Sequence, residues 1–472
     1  MLGMPVAEVA RAVGGTLVGV SDDQLIASQV VSDSRQVTAG SLFVALEGTQ
    51  VDGHAFASQA LSAGAVAVLS DRPAEGATIV VDDVLAALGK LARHHLDSLP
   101  DITVIGITGS VGKTTTKDLL AQILEPLAPT VAPPGSFNNE LGLPMTVLSA
   151  DTETKYLVLE MGARQEGHVR YLCDIAPPDI GVVLAVGSAH LGEFGSVDSI
   201  ARAKAELVSS LKASGTAVLN ADDARVLAMA EQTEAHILSF GISPSADVRA
   251  LEVTSDDRDR ASFSLATSGA QEHVSLQIFG SHAVPNALAA AAVAASLGID
   301  LKTTAAHLST ALMRSRWRME ITQRPDGVVI INDAYNASPE SMKAALRSLK
   351  QIGAGRRTWA VLGEMRELGD HSAAEHDALG RLAVRLDVQK LVVVGPGARP
   401  IHLGAHLEGS WAEESRYVLS AQEAIEIVTQ EVQPGDVVLV KASRAAGLEL
   451  VAAALLEDGP LKDGLSEEGL SK

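Results

Sequence analysis

One stretch constrains this chain more than any other: ITVIGITGSVGKTTTKDLLAQILE, at 102–125. A short apolar run leads into a Gly-containing turn. The turn leads into a helical pattern whose apolar positions Leu119, Leu120, Ile123 and Leu124 share one face, ahead of Pro126. A strand that passes through a tight loop directly into a helix is half of a βαβ unit. It predicts an α/β fold with a mainly parallel sheet under helices. The loop TGSVGKTTT, Thr108 to Thr116, is a short form of the phosphate-binding pattern, G-x-x-G-K-T; the longer form asks for Gly where Ile107 stands. Gly109 and Gly112 let the backbone of Thr108, Ser110 and Val111 approach a triphosphate. Lys113 brings a cation to the β- and γ-phosphates, Thr114 a hydroxyl for magnesium, and Thr115 follows in the first helical turn at the positive end of the helix dipole. The bland alternative is a chance Gly-rich turn. The correct flanking elements, with Thr115 and Thr116, argue for an ATP site.

The rest of the chain repeats the same alternation. Its 472 residues predict three domains at about 150 residues each. LFVAL (42–46), AVAVL (65–69) and TIVV (78–81) make a first α/β unit over 1–98. ITVIGI (102–107), YLVLEM (156–161), IGVVLAV (180–186) and TAVLN (216–220) open a second unit over 99–314. There, 247–279 changes to period-two alternation and predicts an antiparallel appendage. GVVIIN (327–332), TWAVLG (358–363), KLVVVG (390–395) and DVVLVK (436–441) make a third unit over 315–458. The polar segment 459–472 is expected to be a disordered tail. Aromatics are only 3% of residues, so the cores must be built from Ala, Val, Leu and Ile.

Charge and special residues exclude several functions. Lys plus Arg number 37 against 58 Asp plus Glu, a net charge of −21, so no general attraction to nucleic acid or anionic membranes is expected. The single Cys173 excludes an internal disulfide and a Cys-based zinc site. The apolar run at 287–299 is too short to span a bilayer and predicts a buried helix, so no membrane insertion is expected. MLGMPVAEVARAVGG lacks the features of a signal peptide, which points to a cytoplasmic protein.

A phosphate-binding loop needs an acid for its metal at the end of a neighbouring strand, and Glu160 closes YLVLEM. An ordinary acidic strand end reads equally well. His190, in GSAHLGEFGS, has the ordinary reading of a surface loop histidine. Lys204, in SIARAKAELVSSL, has that of a solvated helix lysine.

In order and spacing, TGSVGKTTT, NNELGLPMTVL (138–148), LEMGA (159–163), AHLGEFGS (189–196), AKAEL (203–207) and NADD (220–223) resemble the Mur ligase family. SRWRME (315–320), NDAYNASPESM (332–342), LGEMRELG (362–369) and VLVKASRAAGLE (438–449) continue the resemblance, as does VSDSRQVTAGSLFVALEGTQVDGHAF (31–56). The family's loop likewise lacks Gly at the place of Ile107. Elsewhere the chain departs in detail, with Ala283 in HAVPN and Ala442 in KAS.

The resemblance implies a uridine-nucleotide domain, a central ATPase domain and a Rossmann-like C-terminal domain. It also implies the reaction: D-alanyl-D-alanine joined to UDP-N-acetylmuramoyl-tripeptide through an acyl phosphate, with ATP and magnesium. Lys113, Glu160, His190 and Lys204 would be catalytic, and Thr114, Glu160, His190 and Lys204 would serve the metal, Lys204 as a carbamate. Asn286, Arg318 and Asp333 would meet the nucleotide. Ser34, Arg35, Asn138, Asn139, Tyr335 and Asn336 would bind substrate.

Three rival functions make different demands on the chain. A family member adding the third peptide residue carries a D-N-P-R signature, which is missing here. A P-loop switch or motor would need no sugar-nucleotide domain. A non-catalytic precursor binder would not need Lys113, Thr114, Glu160, His190 and Lys204 together.

Overall fold

A computed structural model of the chain describes residues 3–19, 21, 23–48, 51–99, 101–189, 191–409 and 414–457. The tail expected at 459–472 and His190 lie outside the described residues. Among those described, sheets of five, nine and six strands succeed one another along the chain.

The first sheet runs, edge to edge, Thr16–Val18, Thr78–Val80, Ala67–Ser70, Leu42–Val44 and Val30–Val31. It is parallel except at the Thr16–Val18 edge. The helix Val84–Asp97 packs on the helices Gly142–Val147 and His168–Ile175. Leu88 and Leu91 therefore share one buried cluster with Leu143, Val147 and Leu172. Residues on both sides of position 98 contribute to a single core.

The central sheet places Thr103–Thr108 between Tyr156–Glu160 on one side and Ile180–Val183 on the other, all parallel. Thr130–Val131 closes one edge; Thr216–Asn220 and His236–Gly241 continue the other. The chain moves to one side after Thr103–Thr108 and then returns to the opposite side. That strand is a topological switch point, and its carboxyl end opens a crevice where ligands of such sheets bind. The antiparallel segment expected over 247–279 is present as Val248–Ser255, Arg260–Ala266 and Gln271–Phe279. It extends the same sheet, because Val248–Ser255 pairs parallel with His236–Gly241.

The phosphate-loop helix Lys113–Leu124 packs on the Ala-rich helix Ala283–Ser296. Ala287, Ala289, Ala290 and Ala292 are fully buried there. Small side chains let the two helix backbones approach closely, which suits a chain poor in aromatic residues. The third sheet runs Glu320–Gln323, Val329–Asn332, Val437–Lys441, Thr358–Leu362, Lys390–Val394 and Ser415–Val418. It is parallel except at Glu320–Gln323. The carboxyl ends of Val329–Asn332 and Val437–Lys441 open on the same cleft as the central crevice.

Candidate active site

A cleft of about 650 Å³ lies between the second and third sheets, and the phosphate-binding loop forms one of its walls. Gly109 has φ +158° and Gly112 φ +87°. At Gly112 a Cβ would stand 2.2 Å from Asn286 Oδ1, so neither the conformation nor the space admits a side chain. Lys113 folds back onto the loop, its Nζ donating to Gly109 O at 2.5 Å. Burial pushes its pKa down and Arg318 adds to the shift, with Glu160 opposing. The Thr114 hydroxyl is 2.7 Å from Ser136 Oγ. Ser110, Val111 and Thr115 line the cleft as well. Thr108 does not: its hydroxyl turns away and donates to Met161 O at 2.7 Å.

Glu160 is no ordinary strand end. It is fully buried, opposite Ile107 on the phosphate-loop strand. Oε2 accepts a long hydrogen bond from Asn138 Nδ2 at 3.4 Å, while Oε1 is buried with no partner. Burial pushes its pKa up, against the pull of Arg318, Lys113 and Lys117. A carboxylate with an unmet oxygen in a dry site is the donor a hard cation requires. Among the described residues no three His, Cys, Asp or Glu side chains gather into a metal cluster.

Lys204, on the helix Val197–Ser209, is only 4% exposed and lines the cleft. The solvated-lysine reading is overturned. Burial, with the nearby Lys113 charge, pushes its pKa down to about 7. An amine so placed has a substantial neutral fraction near physiological pH.

The third unit supplies the opposite wall. Arg318 Nη2 donates to Ser136 Oγ at 2.8 Å, and its guanidinium lies 4.4 Å over the Tyr335 ring. Asp333 Oδ2 accepts from the buried Lys441 Nζ at 2.6 Å, and Oδ1 accepts from Met319 N at 3.1 Å. Lys441 also donates to Asn336 O at 2.9 Å. Glu340 Oε1 reaches across to the backbone N of Ser188 at 2.8 Å and to its Oγ at 2.7 Å. Residues 152 and 182 positions apart in sequence thus face one another.

Asn138 and Asn139 line the cleft, but Asn139 Oδ1 is engaged with Gly142 N at 2.9 Å, at the start of the helix Gly142–Val147. Ser34 and Arg35 are not brought to the cleft. They form an exposed 3-10 turn capped by Asp33, to which Arg35 is paired at 2.7 Å. Sequence reasoning missed Ser136, Lys441 and Glu340. Lys441 had a usable signal, a cation ending the apolar run DVVLVK; Ser136 had none.

Comparisons with known proteins agree with this geometry. The Mur ligase middle domain matches residues 107–294, the Mur ligase glutamate ligase domain 317–444, and the Mur ligase family catalytic domain 27–96. A UDP-N-acetylmuramoyl-tripeptide–D-alanyl-D-alanine ligase of Mycobacterium bovis is 47% identical, over 97% of this chain and 98% of the relative. A crystal structure of MurF from Acinetobacter baumannii superposes with a TM-score of 0.85 at 33% identity, covering 97% of this chain and 99% of that one. MurF from Thermotoga maritima, in complex with ADP, gives 0.78 at 30% identity over 92% and 98% of the two chains. With near-complete coverage in sequence and in structure, and the loop, acid and lysines in one cleft, the chain belongs to the Mur ligase family.

Proposed function

We propose that this protein is the ATP-dependent ligase that joins D-alanyl-D-alanine to UDP-N-acetylmuramoyl-tripeptide, the last cytoplasmic step in making the peptidoglycan precursor. The observation that carries the reading is the 47% identity, over nearly the whole of both chains, to a relative named for that reaction. The cleft supplies the chemistry. A carboxylate is a poor electrophile, so its oxygen first attacks the γ-phosphate of ATP and releases ADP. The amine of the dipeptide then attacks the acyl carbon and expels phosphate.

Phosphoryl transfer asks the protein to position groups and neutralise charge. Lys113 would leave Gly109 O for the β- and γ-phosphates, which the loop backbone between Gly109 and Thr115 would cradle. Arg318 would add a second cation from the other wall. Asn286, which lies against Gly112, would meet the base, and Asp333 would meet the nucleotide from the other wall. Asn138, Tyr335 and Asn336, which line the cleft, would bind substrate. Thr114 and Glu160 would hold magnesium, which supplies further neutralisation of the phosphates. Its fit rests on the orphaned Oε1 of Glu160. Lys204 would act as its carbamate, since a neutral buried amine is the form that adds carbon dioxide. Ser34 and Arg35 would bind the uridine nucleotide on the first unit, away from the cleft.

The test is phosphate release with ATP, UDP-N-acetylmuramoyl-tripeptide and D-alanyl-D-alanine, omitting each in turn. Release should require all three. Equal release with a dipeptide precursor and a single amino acid would overturn the assignment.

A further inference from the structure

Two charged residues of the phosphate-loop helix have no part in the chemistry above, yet they are among the most deeply buried in the molecule. Lys117 and Asp118 have side chains only 2% exposed, and their charged atoms are 2.5 Å apart. A buried ion pair is weak evidence for stability, because removing two charges from water costs about as much as their attraction returns. What they touch points elsewhere. Lys117 Nζ donates to Pro133 O at 2.7 Å and to Ser315 Oγ at 3.3 Å. Asp118 Oδ2 accepts from the backbone N of Ser315 at 2.9 Å and of Arg314 at 3.2 Å. Arg314 Nη2 is also bound to Glu125 Oε2 at 2.7 Å, at the end of the same helix.

These contacts fall on two segments that meet over the phosphate site. Pro133 lies three residues before Ser136, which contacts Thr114. Ser315 lies three residues before Arg318, whose guanidinium is anchored on that same Ser136. Between and beyond them the chain turns sharply, with Trp317 at φ +59° and Met319 at φ +50°. Such conformations are costly for bulky residues and persist where neighbouring contacts fix them.

We propose that Lys117 and Asp118 are positioning residues, which hold the 133–136 loop and the 314–318 crossing segment at a fixed separation so that Arg318 is presented to the phosphates. The inference rests on the ATP-site reading and deepens it. The lysine binds both segments and the aspartate fixes the backbone of the second, so the device works through Arg318 and makes no contact with nucleotide itself.

The experiment is a double-mutant cycle on the full chain, Asp118→Asn and Arg318→Ala singly and together. It reads ADP–magnesium affinity and, separately, kcat and KM for ATP. Asp118→Asn should weaken ADP about tenfold, the worth of one charge-assisted hydrogen bond, and should lower kcat/KM for ATP about 100-fold. In the Arg318→Ala background the same change should have almost no further effect. UDP-precursor affinity should be unaltered throughout. Ser315→Ala, which takes only one acceptor from Lys117 and leaves the helix untouched, should give a smaller loss with the same dependence on Arg318. Equal losses with and without Arg318, or parallel loss of precursor affinity, would mean a merely structural staple and overturn the proposal. ADP binding needs neither the precursor nor the dipeptide, so this readout stays decisive should the ligase reading fail.

Discussion

At the scale of single residues, Lys113 and Lys204 share a cleft, and the proposed scheme assigns them opposite tasks. Lys113→Ala should lower turnover by several orders of magnitude, since a positioned charge on a transferring phosphoryl group is worth about 3–4 kcal/mol or more. Steady-state kinetics on folded variant protein is the check, and near-normal turnover would refute the phosphate-loop assignment. Lys204 carries a pH signature. Its pKa lies at about 7 against an ordinary 10.5, so the folded protein binds fewer protons than the unfolded chain across that window. Its contribution to stability therefore rises with pH from about 7 upward. Lys204→Met should flatten that slope in thermal melts taken across the window.

On the proposed carbamate, the neutral amine would add carbon dioxide more readily as pH rises through 7. Activity should increase over that range, and added bicarbonate should shift the rise to lower pH. Lys204→Ala should be inactive and partly restored by formate or acetate, while Lys204→Arg should stay inactive. An active Lys204→Arg enzyme would remove the carbamate from the scheme.

Among the elements, the pair of helices Lys113–Leu124 and Ala283–Ser296 sets the site most directly, because one begins at Lys113 and the other carries Asn286. The helix Ala283–Ser296 brings mostly methyl-sized side chains to this buried contact. Ala290 is fully buried, and Ala290→Leu should force the helices apart at a cost of about 1–3 kcal/mol. The drop should appear in chemical denaturation. ADP affinity should fall with it, because Asn286 is packed against Gly112. Unaltered stability would mean the interface has unfilled room.

Across the whole molecule, the third unit meets the central one through Glu340 on Ser188 and through the backbones of Gly192 and Glu367, whose N and O are 2.9 Å apart. Glu340→Ala should raise KM for ATP and leave affinity for the uridine precursor unchanged, since the precursor is assigned to the first unit. Parallel loss of both affinities in binding assays would count against this contact as a joint between units. Asp333 is the more delicate test of the same wall. Its partner Lys441 is only 3% exposed, so Asp333→Ala strands a buried charge at a cost of about 3–5 kcal/mol. Asp333→Asn keeps an acceptor for Lys441 and should weaken nucleotide use with far less loss of stability. Equal destabilisation by the two variants would rule out that account of the pair.

Much of this was legible in the sequence, for a local reason. Strands such as Thr103–Thr108, Tyr156–Glu160 and Val437–Lys441 are buried on both faces of parallel sheets, so they are written as uninterrupted apolar runs between helical patterns. The phosphate loop was legible because its glycines answer constraints set within a few residues. His236–Gly241 and the short edges Thr130–Val131 and Ser415–Val418 were not, because their polar residues or brevity leave no such run. Tertiary structure alone decided which helix lysines are buried. Lys204 reads as a solvated helix position and Lys117 carries no signal of its own in the sequence, yet both are buried, because the elements packed over them come from distant parts of the chain. It also decided that Arg318 reaches Ser136 across 182 positions. Periodicity records whether a face is covered; it does not record which charged group covers it, and a site assembled between two sheets depends on the second.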